Sequence, residues 1–528
     1  MNRRPHRGNT LPRLSAVVAV VAAASGVWYF AGSATVMTLP AIPAGTSAAS
    51  PANVKTTSSS DDAPKKAPEK LDWNFLFPDW PEQPKPALVI ALTGEMNGYM
   101  RPCGCSEGQS GGLARRAGLL AFLRDTLKLN VLAVDLGDVV GKTTKLEEMR
   151  FDAARKALTK LGYKVVGLGR QDLTINLLTL VQKLANETEG VKTILGNIKA
   201  ADKDMQQILE QTCKPIEVVE VGGKKIAVGS LMDPEFNKGN SDIKLDPLDA
   251  ASEAMLKAAV AANAEVKVLL AYMTKEKAID FAKAHQDWDV ILTRSNGDDA
   301  AAQLDQHREG KTLIVQAGRK GKWTGIVGYW PEEKISKYRY AVVEVRPHFN
   351  EDASVEKIYN DFVKEIAQSD VLVTWSRLRH ANGDQFVGAE VCGKCHTKAY
   401  KKWSEEIADS AHGKGHGHAF AFESLKKDKA KYQTSNPECV SCHTTGFEYV
   451  SGFINEKKTP QFLGNQCENC HGPGKRHADN KDDPAGRVQM KKAQTDIKNR
   501  CLDCHDADNS VHFNFDKYWP KIAHPWKD

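Results

Sequence analysis

The sequence carries little excess charge of either sign. Its 528 residues include 72 lysines and arginines against 66 acidic residues, a net charge of +6. A balance so even provides no basic face for a polyanion and excludes nucleic acid as the expected partner. Cysteine is scarce outside one pattern. Of 11 cysteines, eight fall in four copies of a five-residue motif, leaving Cys103, Cys105 and Cys213 elsewhere. Three are too few to staple a chain this long, so a disulfide scaffold is excluded. The last third also lacks apolar runs, and its glycine, lysine and histidine cannot build a large side-chain core. The overall composition, 41% apolar and 26% charged, suits a globular protein of two or three domains.

The repeated pattern is Cys-x-x-Cys-His, at Cys392–His396, Cys439–His443, Cys467–His471 and Cys501–His505. Thiols three apart reach the two vinyl groups of one porphyrin, and the next histidine then lies below the ring to ligate iron. The thioether positions are Cys392, Cys395, Cys439, Cys442, Cys467, Cys470, Cys501 and Cys504. The proximal imidazoles are His396, His443, His471 and His505. Zinc sites or disulfides would not need a histidine after every second cysteine. The pattern predicts four covalently bound haem c groups, which would supply the apolar bulk that the last third lacks.

Covalent haem attachment belongs to exported compartments in bacteria, and the N-terminus agrees. Arg3, Arg4, Arg7 and Arg13 precede an apolar run from Leu14 to Phe30, which fixes the N-terminus on the cytoplasmic side. Residues 1–37 are expected to be an uncleaved transmembrane anchor, with a signal peptide cleaved within Ala31 to Ala34 as the rival. Either places the rest on the periplasmic side of the cytoplasmic membrane. Residues 38–84, rich in Pro, Ala, Ser, Thr and Lys over much of their length, are expected to be a disordered linker.

From 85 to 348 short apolar strands alternate with helical stretches, which predicts an α/β domain. The segments Gly111–Arg115, Asp135-Leu136-Gly137-Asp138, Leu161-Gly162-Tyr163, Gly167-Leu168-Gly169 and Asp289–Thr293 occur in that order. They resemble the N-terminal domain of 5′-nucleotidases in the metallophosphoesterase superfamily. That resemblance implies a four-layer α/β/β/α sandwich and a dinuclear metal site. The ligands depart from the family's pattern almost everywhere. Its Asn-Asp-x-His-Gly stands here as Gly94-Glu95-Met96-Asn97-Gly98, its Gly-Asn-His-Glu as Gly169-Arg170-Gln171-Asp172, a strand-end histidine as Tyr272, and its Gly-His-x-His as Arg294-Ser295-Asn296-Gly297. Of the matched ligands only Asp138 survives. The domain is therefore expected to be an inactive scaffold or binding module with no catalytic residue. Cys103 and Cys105 lie where the old site would open; they are read as a second metal site with Asp138, a reactive dithiol, or an oxidised pair. Cys213 is expected to be a lone structural thiol.

Residues 349–384 read as a helical connector, with Ile358, Phe362, Val363 and Ile366 on one face. Residues 385–528 hold the four motifs. Gly388-Ala389-Glu390, Trp403, Ser410-Ala411-His412, Asn436-Pro437-Glu438 and Gln466-Cys467-Glu468 with Gly472-Pro473-Gly474 resemble the cytochrome c-554 type (c-552/4) multihaem family. That resemblance implies a mainly α-helical tetrahaem domain with closely stacked, paired haems. It makes His412, His477 and His524 the first candidates for distal iron ligands, with His416, His418 and His512 behind them. His477 lies one turn past the third motif, and His524 follows the fourth. The function expected is electron transfer between periplasmic or membrane redox partners. The alternatives are a redox enzyme acting on a small nitrogen or sulfur compound at a five-coordinate haem, and a metal-dependent phosphoesterase with an accessory haem domain.

Overall fold

The computed structural model describes residues 71–528 except 104–107, 142–144, 187–189, 298–305, 335, 406, 410–412, 428–430, 493–496 and 525–528. The expected anchor or signal peptide, most of the linker, Cys105 and His412 lie outside these residues. Among the described residues no helix is long and apolar enough to cross a membrane.

Twelve strands make two six-stranded sheets. They are β1 Leu88–Thr93, β2 Val131–Asp135, β3 Tyr163–Val166, β4 Lys192–Thr193, β5 Ile216–Val221, β6 Lys224–Met232, β7 Val266–Tyr272, β8 Val290–Thr293, β9 Gln306–Glu309, β10 Thr312–Gln316, β11 Trp323–Tyr329 and β12 Tyr338–Glu344. The first sheet runs β12-β11-β1-β2-β3-β4 and the second β9-β10-β8-β7-β6-β5. Strands β1 to β4 are parallel, as are β6, β7, β8 and β10; the outer hairpins are antiparallel.

Alternation along the second sheet separates its two faces. Val266, Val268 and Leu270 of β7, with Val290 and Leu292 of β8, join the main core shared with the first sheet. Leu269, Ala271 and Ile291 face the other way, under the helices α3 Leu248–Ala261 and α4 Lys275–Ala284, through Met255, Ala259, Phe281 and Ala282. The outer face of the first sheet is covered by α1 Leu113–Ala121, α2 Lys145–Lys160 and α5 Ala353–Gln368, through Leu119, Leu120, Ala154, Leu158, Phe362 and Val363. The result is an α/β/β/α sandwich.

One boundary differs from expectation. Residues 71–84 are folded rather than linker. Trp73, Phe77 and Trp80 are buried, with Phe77 stacked on Trp80 and Trp80 edge-on to Trp330. Three aromatics within eight residues bury enough surface to offset the local chain entropy. The expected connector helix, α5, packs its apolar stripe into the sandwich, because Val355, Phe362, Val363 and Ile366 all enter the main core, while Tyr359 on the same helix accepts from Gln433 of the motif region at 3.3 Å.

The last region is built of short helices, among them Ala389–Gly393, Pro437–His443, Cys467–His471, Ile497–Leu502 and Phe515–Ile522. Its side-chain core is small: Leu372, Phe386, Phe422, Leu425, Val440, Phe447, Phe453 and Phe462.

Candidate functional site

Each motif lies on or against a single helical turn. The His396 N–H donates to the Cys392 carbonyl at 2.9 Å, and that of His505 to Cys501 at 2.8 Å. An i to i+4 bond places both thiols and the imidazole on one face. The turns then pair. Cys392 and Cys467 sulfurs are within hydrogen-bond reach of each other, as are those of Cys442 and Cys504. The first motif therefore adjoins the third, and the second adjoins the fourth.

The residues around the third motif explain the first pairing. Glu468 is buried, and its carboxylate accepts backbone N–H groups of Val387 (3.0 Å), Gly388 (2.8 Å) and Gly474 (2.8 Å). The Gln466 carboxamide accepts from Ala389 N–H at 2.6 Å and donates to the Gln461 and Leu463 carbonyls. Burial raises the Glu468 pKa, while the three amides oppose that shift. Trp403 Nε1 donates to the Asn465 carbonyl at 2.8 Å, pinning the helix after the first motif to the same segment.

Three pairs of imidazoles face one another. Ring centroids are 6.2 Å apart for His396 and His477, 5.9 Å for His471 and His524, and 6.1 Å for His418 and His505. Two metal–nitrogen bonds of about 2 Å each, plus the two ring radii, fill such a gap, so the spacing fits one iron between two imidazoles. In two of the motif histidines Nδ1 is taken by a hydrogen bond, which leaves Nε2 to face a metal. His505 Nδ1 meets Ser510 Oγ at 2.9 Å, and His443 Nδ1 meets the Ala421 carbonyl at 2.5 Å.

The pairing crosses the sequence order. His477, one turn past the third motif, faces the first motif's histidine. His524, which follows the fourth, faces the third. His418, a second-rank candidate, faces the fourth. His512 does not face a motif histidine: its Nε2 lies 3.2 Å from where a Cβ on Gly108 would be. Among the described residues no second imidazole is in ring contact with His443. His412 and the side chain of His416 are outside them.

The α/β region brings its own charged centre together where the parallel strands of both sheets end. Glu95 follows β1, Asp138 follows β2, Asp172 follows β3, Tyr272 ends β7, Arg294 follows β8 and Arg319 follows β10. Glu95 Oε1 lies 3.0 Å from Arg294 Nη2 and 3.3 Å from Arg319 Nε, while Oε2 accepts the Ser295 N–H at 2.6 Å. Asp138 accepts from the Tyr272 hydroxyl and from the Gln171 N–H at 2.7 Å. Asp172 accepts backbone N–H groups of Asp138, Val140 and Gly169. Both Glu95 and Asp138 sit in left-handed backbone, φ 49° and 56°, a strain that a tightly packed site maintains. A Cβ on Gly169 would fall 2.1 Å from Asp138 Oδ1, so only glycine fits there.

Burial raises the pKa of all three carboxyls. Asp138 is pushed up to about 6 and Asp172 to about 8, Asp172 also feeling the Asp138 charge; Arg294 and Arg319 oppose the rise at Glu95. A dinuclear metal centre does not fit these residues. Both oxygens of Glu95 and of Asp138 are already taken, and two guanidinium groups supply the positive charge. Among the described residues no cluster of three or more histidine, cysteine or acidic side chains could hold a metal. The expected metal site of Cys103, Cys105 and Asp138 also needs correction. Cys103 is disulfide-bonded and so is not a thiolate ligand, whereas Cys213 is buried and outside any disulfide. Sequence reasoning names Arg294 only as part of the segment that stands in place of Gly-His-x-His, and misses Arg319. The signal available was charge: a buried acid that has lost its metals needs a cation from elsewhere.

The two regions meet at motif-bearing segments. The Asp508 carboxylate is held by Lys320 and Lys322. Glu438, just before the second motif, pairs with the buried Arg150 at 2.7 Å.

Residues 391–472 match the family described as cytochrome c554 and c-prime, a segment that contains the first three motifs. Cytochrome c-554 of Nitrosomonas europaea is 31% identical over 159 residues, covering 27% of this chain and 61% of that protein. The chain thus spans less than two thirds of this relative. Among solved structures, the 5′-nucleotidase precursor of Thermus thermophilus has a TM-score of 0.46 at 18% identity, covering 55% of this chain and 61% of that one. The calcineurin-like phosphoesterase YfkN of Bacillus subtilis has a TM-score of 0.43 at 14% identity, covering 53% and 97%. The chain therefore joins an α/β/β/α sandwich to a helical region in which residues 391–472 are similar to the cytochrome c554 and c-prime family.

Proposed function

We propose that this protein is an exported multihaem c-type cytochrome that carries electrons through four covalently held haem c groups. The observation that carries the reading is the three facing imidazole pairs, each spaced for one iron. The assigned ligands are His396 with His477, His471 with His524, and His505 with His418. His443 is the proximal ligand of the fourth iron, with His412 or His416 as the remaining distal candidates. Bound haem supplies reversible one-electron chemistry at iron. The chain's own residues fix ring orientation through the Nδ1 contacts and hold neighbouring attachment turns against each other through Glu468 and Gln466. Sulfur contacts link the first motif to the third and the fourth to the second, and Cys470 of the third feels the charge of Cys501 of the fourth, which gives the order first, third, fourth, second. That order is the proposed electron route, with the first and second motifs as its ends and periplasmic or membrane redox proteins as partners.

The α/β sandwich is proposed to be catalytically silent as a phosphoesterase, because arginines fill the place its metals would need. Residues 1–37 are proposed to tether the chain to the membrane or to direct its export.

Electron paramagnetic resonance of the purified protein tests the assignment. Three low-spin bis-imidazole signals are expected. A protein whose haems were all high-spin would overturn it. The alternative reading is a redox enzyme acting on a small nitrogen or sulfur compound at a five-coordinate haem. A high-spin signal that shifts on adding nitrite or hydroxylamine would select that reading, and wholly low-spin spectra would exclude it.

A further inference from the structure

The sandwich holds the fourth motif through the loop between β10 and β11. Lys320 and Lys322 both reach the Asp508 carboxylate, and Gln109 Nε2 donates to the Asp508 carbonyl at 2.6 Å. Lys322 is 7% exposed. An ammonium buried that deeply is stable where a carboxylate meets it, so the pairing selects one position for Asp508. Asp506 accepts the N–H groups of Asp508 (2.9 Å) and Asn509 (2.7 Å), and Ser510 Oγ meets His505 Nδ1 at 2.9 Å. Displacing Asp508 therefore turns the His505 ring.

The second motif is held by α2 and α5. Arg150 of α2 is buried and pairs with Glu438 at 2.7 Å. Glu438 stands in the first turn of the helix Pro437–His443, which ends at the proximal imidazole. Just before that helix, Gln433 Nε2 donates to the Tyr359 hydroxyl of α5 at 3.3 Å, and Gln433 Oε1 accepts from Asn436, which caps the helix. Both grips converge on one place, because the Cys442 and Cys504 sulfurs lie within hydrogen-bond reach of each other.

The loop that carries the two lysines is anchored in the charged centre. Arg319 pairs with Glu95 at 3.3 Å, and the Lys320 N–H donates to the Glu95 carbonyl at 2.9 Å. Arg319 Nη2 donates to the Ser295 carbonyl at 2.6 Å, and the Gly318 N–H to Ser295 Oγ at 2.9 Å. Lys320 is kept in left-handed backbone, φ 56°, a strain that tight packing maintains. The charged centre and the grip on Asp508 are thus one construction.

We propose that Lys320, Lys322 and Arg150 are positioning residues of the electron route: through Asp508 and Glu438 the sandwich fixes the fourth and second attachment sites against each other and so sets the coupling of the two haems held there. The proposal rests on the electron-transfer reading above and gives the sandwich its part in it. The first and third motifs are joined by another device, Glu468 and Gln466 within the motif region itself. Electron exchange between two groups depends on their separation and orientation, so a small displacement of one site has a large effect on rate.

The test uses the full-length haem-loaded protein. Soret circular dichroism reads the geometry between haems, and flash reduction followed optically reads electron exchange among them. Absorption gives haem content, and electron paramagnetic resonance gives spin state. The first variant is Lys320→Gln/Glu438→Gln; these side chains are 23% and 54% exposed, so the fold tolerates loss of their charge. It should keep its haems and their low-spin signals, while the Soret couplet shrinks and one exchange step slows about tenfold. Asp508→Glu keeps the charge but lengthens the arm by a methylene, and it should change the same couplet and the same step. A grip that only added stability would lower Tm and leave both readings as they are in the unmutated protein; that result in the haem-loaded variants overturns the proposal alone. If the first variant loses haem, Asp508→Glu decides by the same readings, and loss of haem from both would assign the grips to attachment rather than coupling, which also overturns it. A preparation of the unmutated protein without haem bands overturns the electron-transfer reading, and the proposal with it.

Discussion

The sandwich and the motif-bearing region solve the same problem by opposite means. The sandwich buries a continuous core between and around two sheets, from Trp73 to Val371. Among the described residues of the motif region the core cluster holds eight hydrophobic residues, around Phe422 and Phe453, and the helices are mostly one or two turns long. Helices so short are not stable on their own. The first region is specified by side chains, while the second needs apolar discs that its sequence does not encode as residues. The largest expected effect follows from this contrast. In protein made without haem attachment, residues 385–528 should become accessible to protease, with cleavage rates rising by orders of magnitude. A fragment of roughly 71–372 should resist. Limited proteolysis with mass mapping checks both halves, and resistance of both without haem would erase the contrast.

Next in size is the charged centre of the sandwich. Glu95 is 2% exposed and balances two guanidinium groups. Glu95→Gln strands those charges, at a cost of about 3–5 kcal/mol, which lowers the sandwich's Tm by roughly 10 °C. Calorimetry resolves this because the transition of the haem region should stay in place. Glu468→Gln is the mirror experiment. It weakens three amide contacts that tie the first motif to the third, costing about 1–3 kcal/mol in the haem region alone. If either substitution shifted both transitions equally, the contacts at Asp508 and Glu438 would be making the chain a single cooperative unit.

Legibility in the sequence divides along the same line. Strands β1, β2, β7, β8 and β10 are readable as apolar runs, because a strand buried on both faces has no polar side to hide its pattern. Strands β5, β11 and β12 are not. Polar residues interrupt β5 and β12, and glycines interrupt β11, whose Gly325 and Gly328 pack against Tyr340 and Trp330. In the haem region the attachment residues are legible because the chemistry fixes their spacing. The distal partners are not, since an iron can take its second imidazole from anywhere in the fold. Nearness in sequence suggests His477 for the third motif, but the Glu468 and Gln466 contacts draw the first motif to it instead.

A smaller effect appears with pH. Burial raises the folded-state pKa of Asp138 to about 6 and of Asp172 to about 8. A carboxyl with a raised folded pKa binds its proton more tightly in the native state, so its contribution is greatest at low pH and is lost as pH rises through the folded value. The sandwich should lose stability from about pH 4 to pH 8 on this account. Asp172→Asn should flatten that slope while lowering stability overall, because an NH2 group replaces one of two oxygens that both accept backbone N–H groups. Chemical denaturation at three pH values would show it, and an unchanged slope would mean that Asp172 is ionised in the folded protein.

The smallest expected effect is no effect, and it bears most directly on what the sandwich has become. A cation that binds the native state at a hundred times its Kd stabilises by about 2.7 kcal/mol, a shift of several degrees in Tm. Zinc or manganese should give no such shift in the sandwich's transition, because Arg294 and Arg319 already neutralise Glu95, and Tyr272 and Gln171 occupy Asp138. Removing the obstruction should reverse the result. In an Arg294→Ala/Arg319→Ala variant the buried carboxylates have lost their cations, and metal should recover part of the lost stability. Stabilisation of the unmutated protein by metal would mean that the arginines swing aside. Metal rescue confined to the double variant would instead show that two guanidinium groups hold the charge balance that a pair of metal ions would otherwise supply.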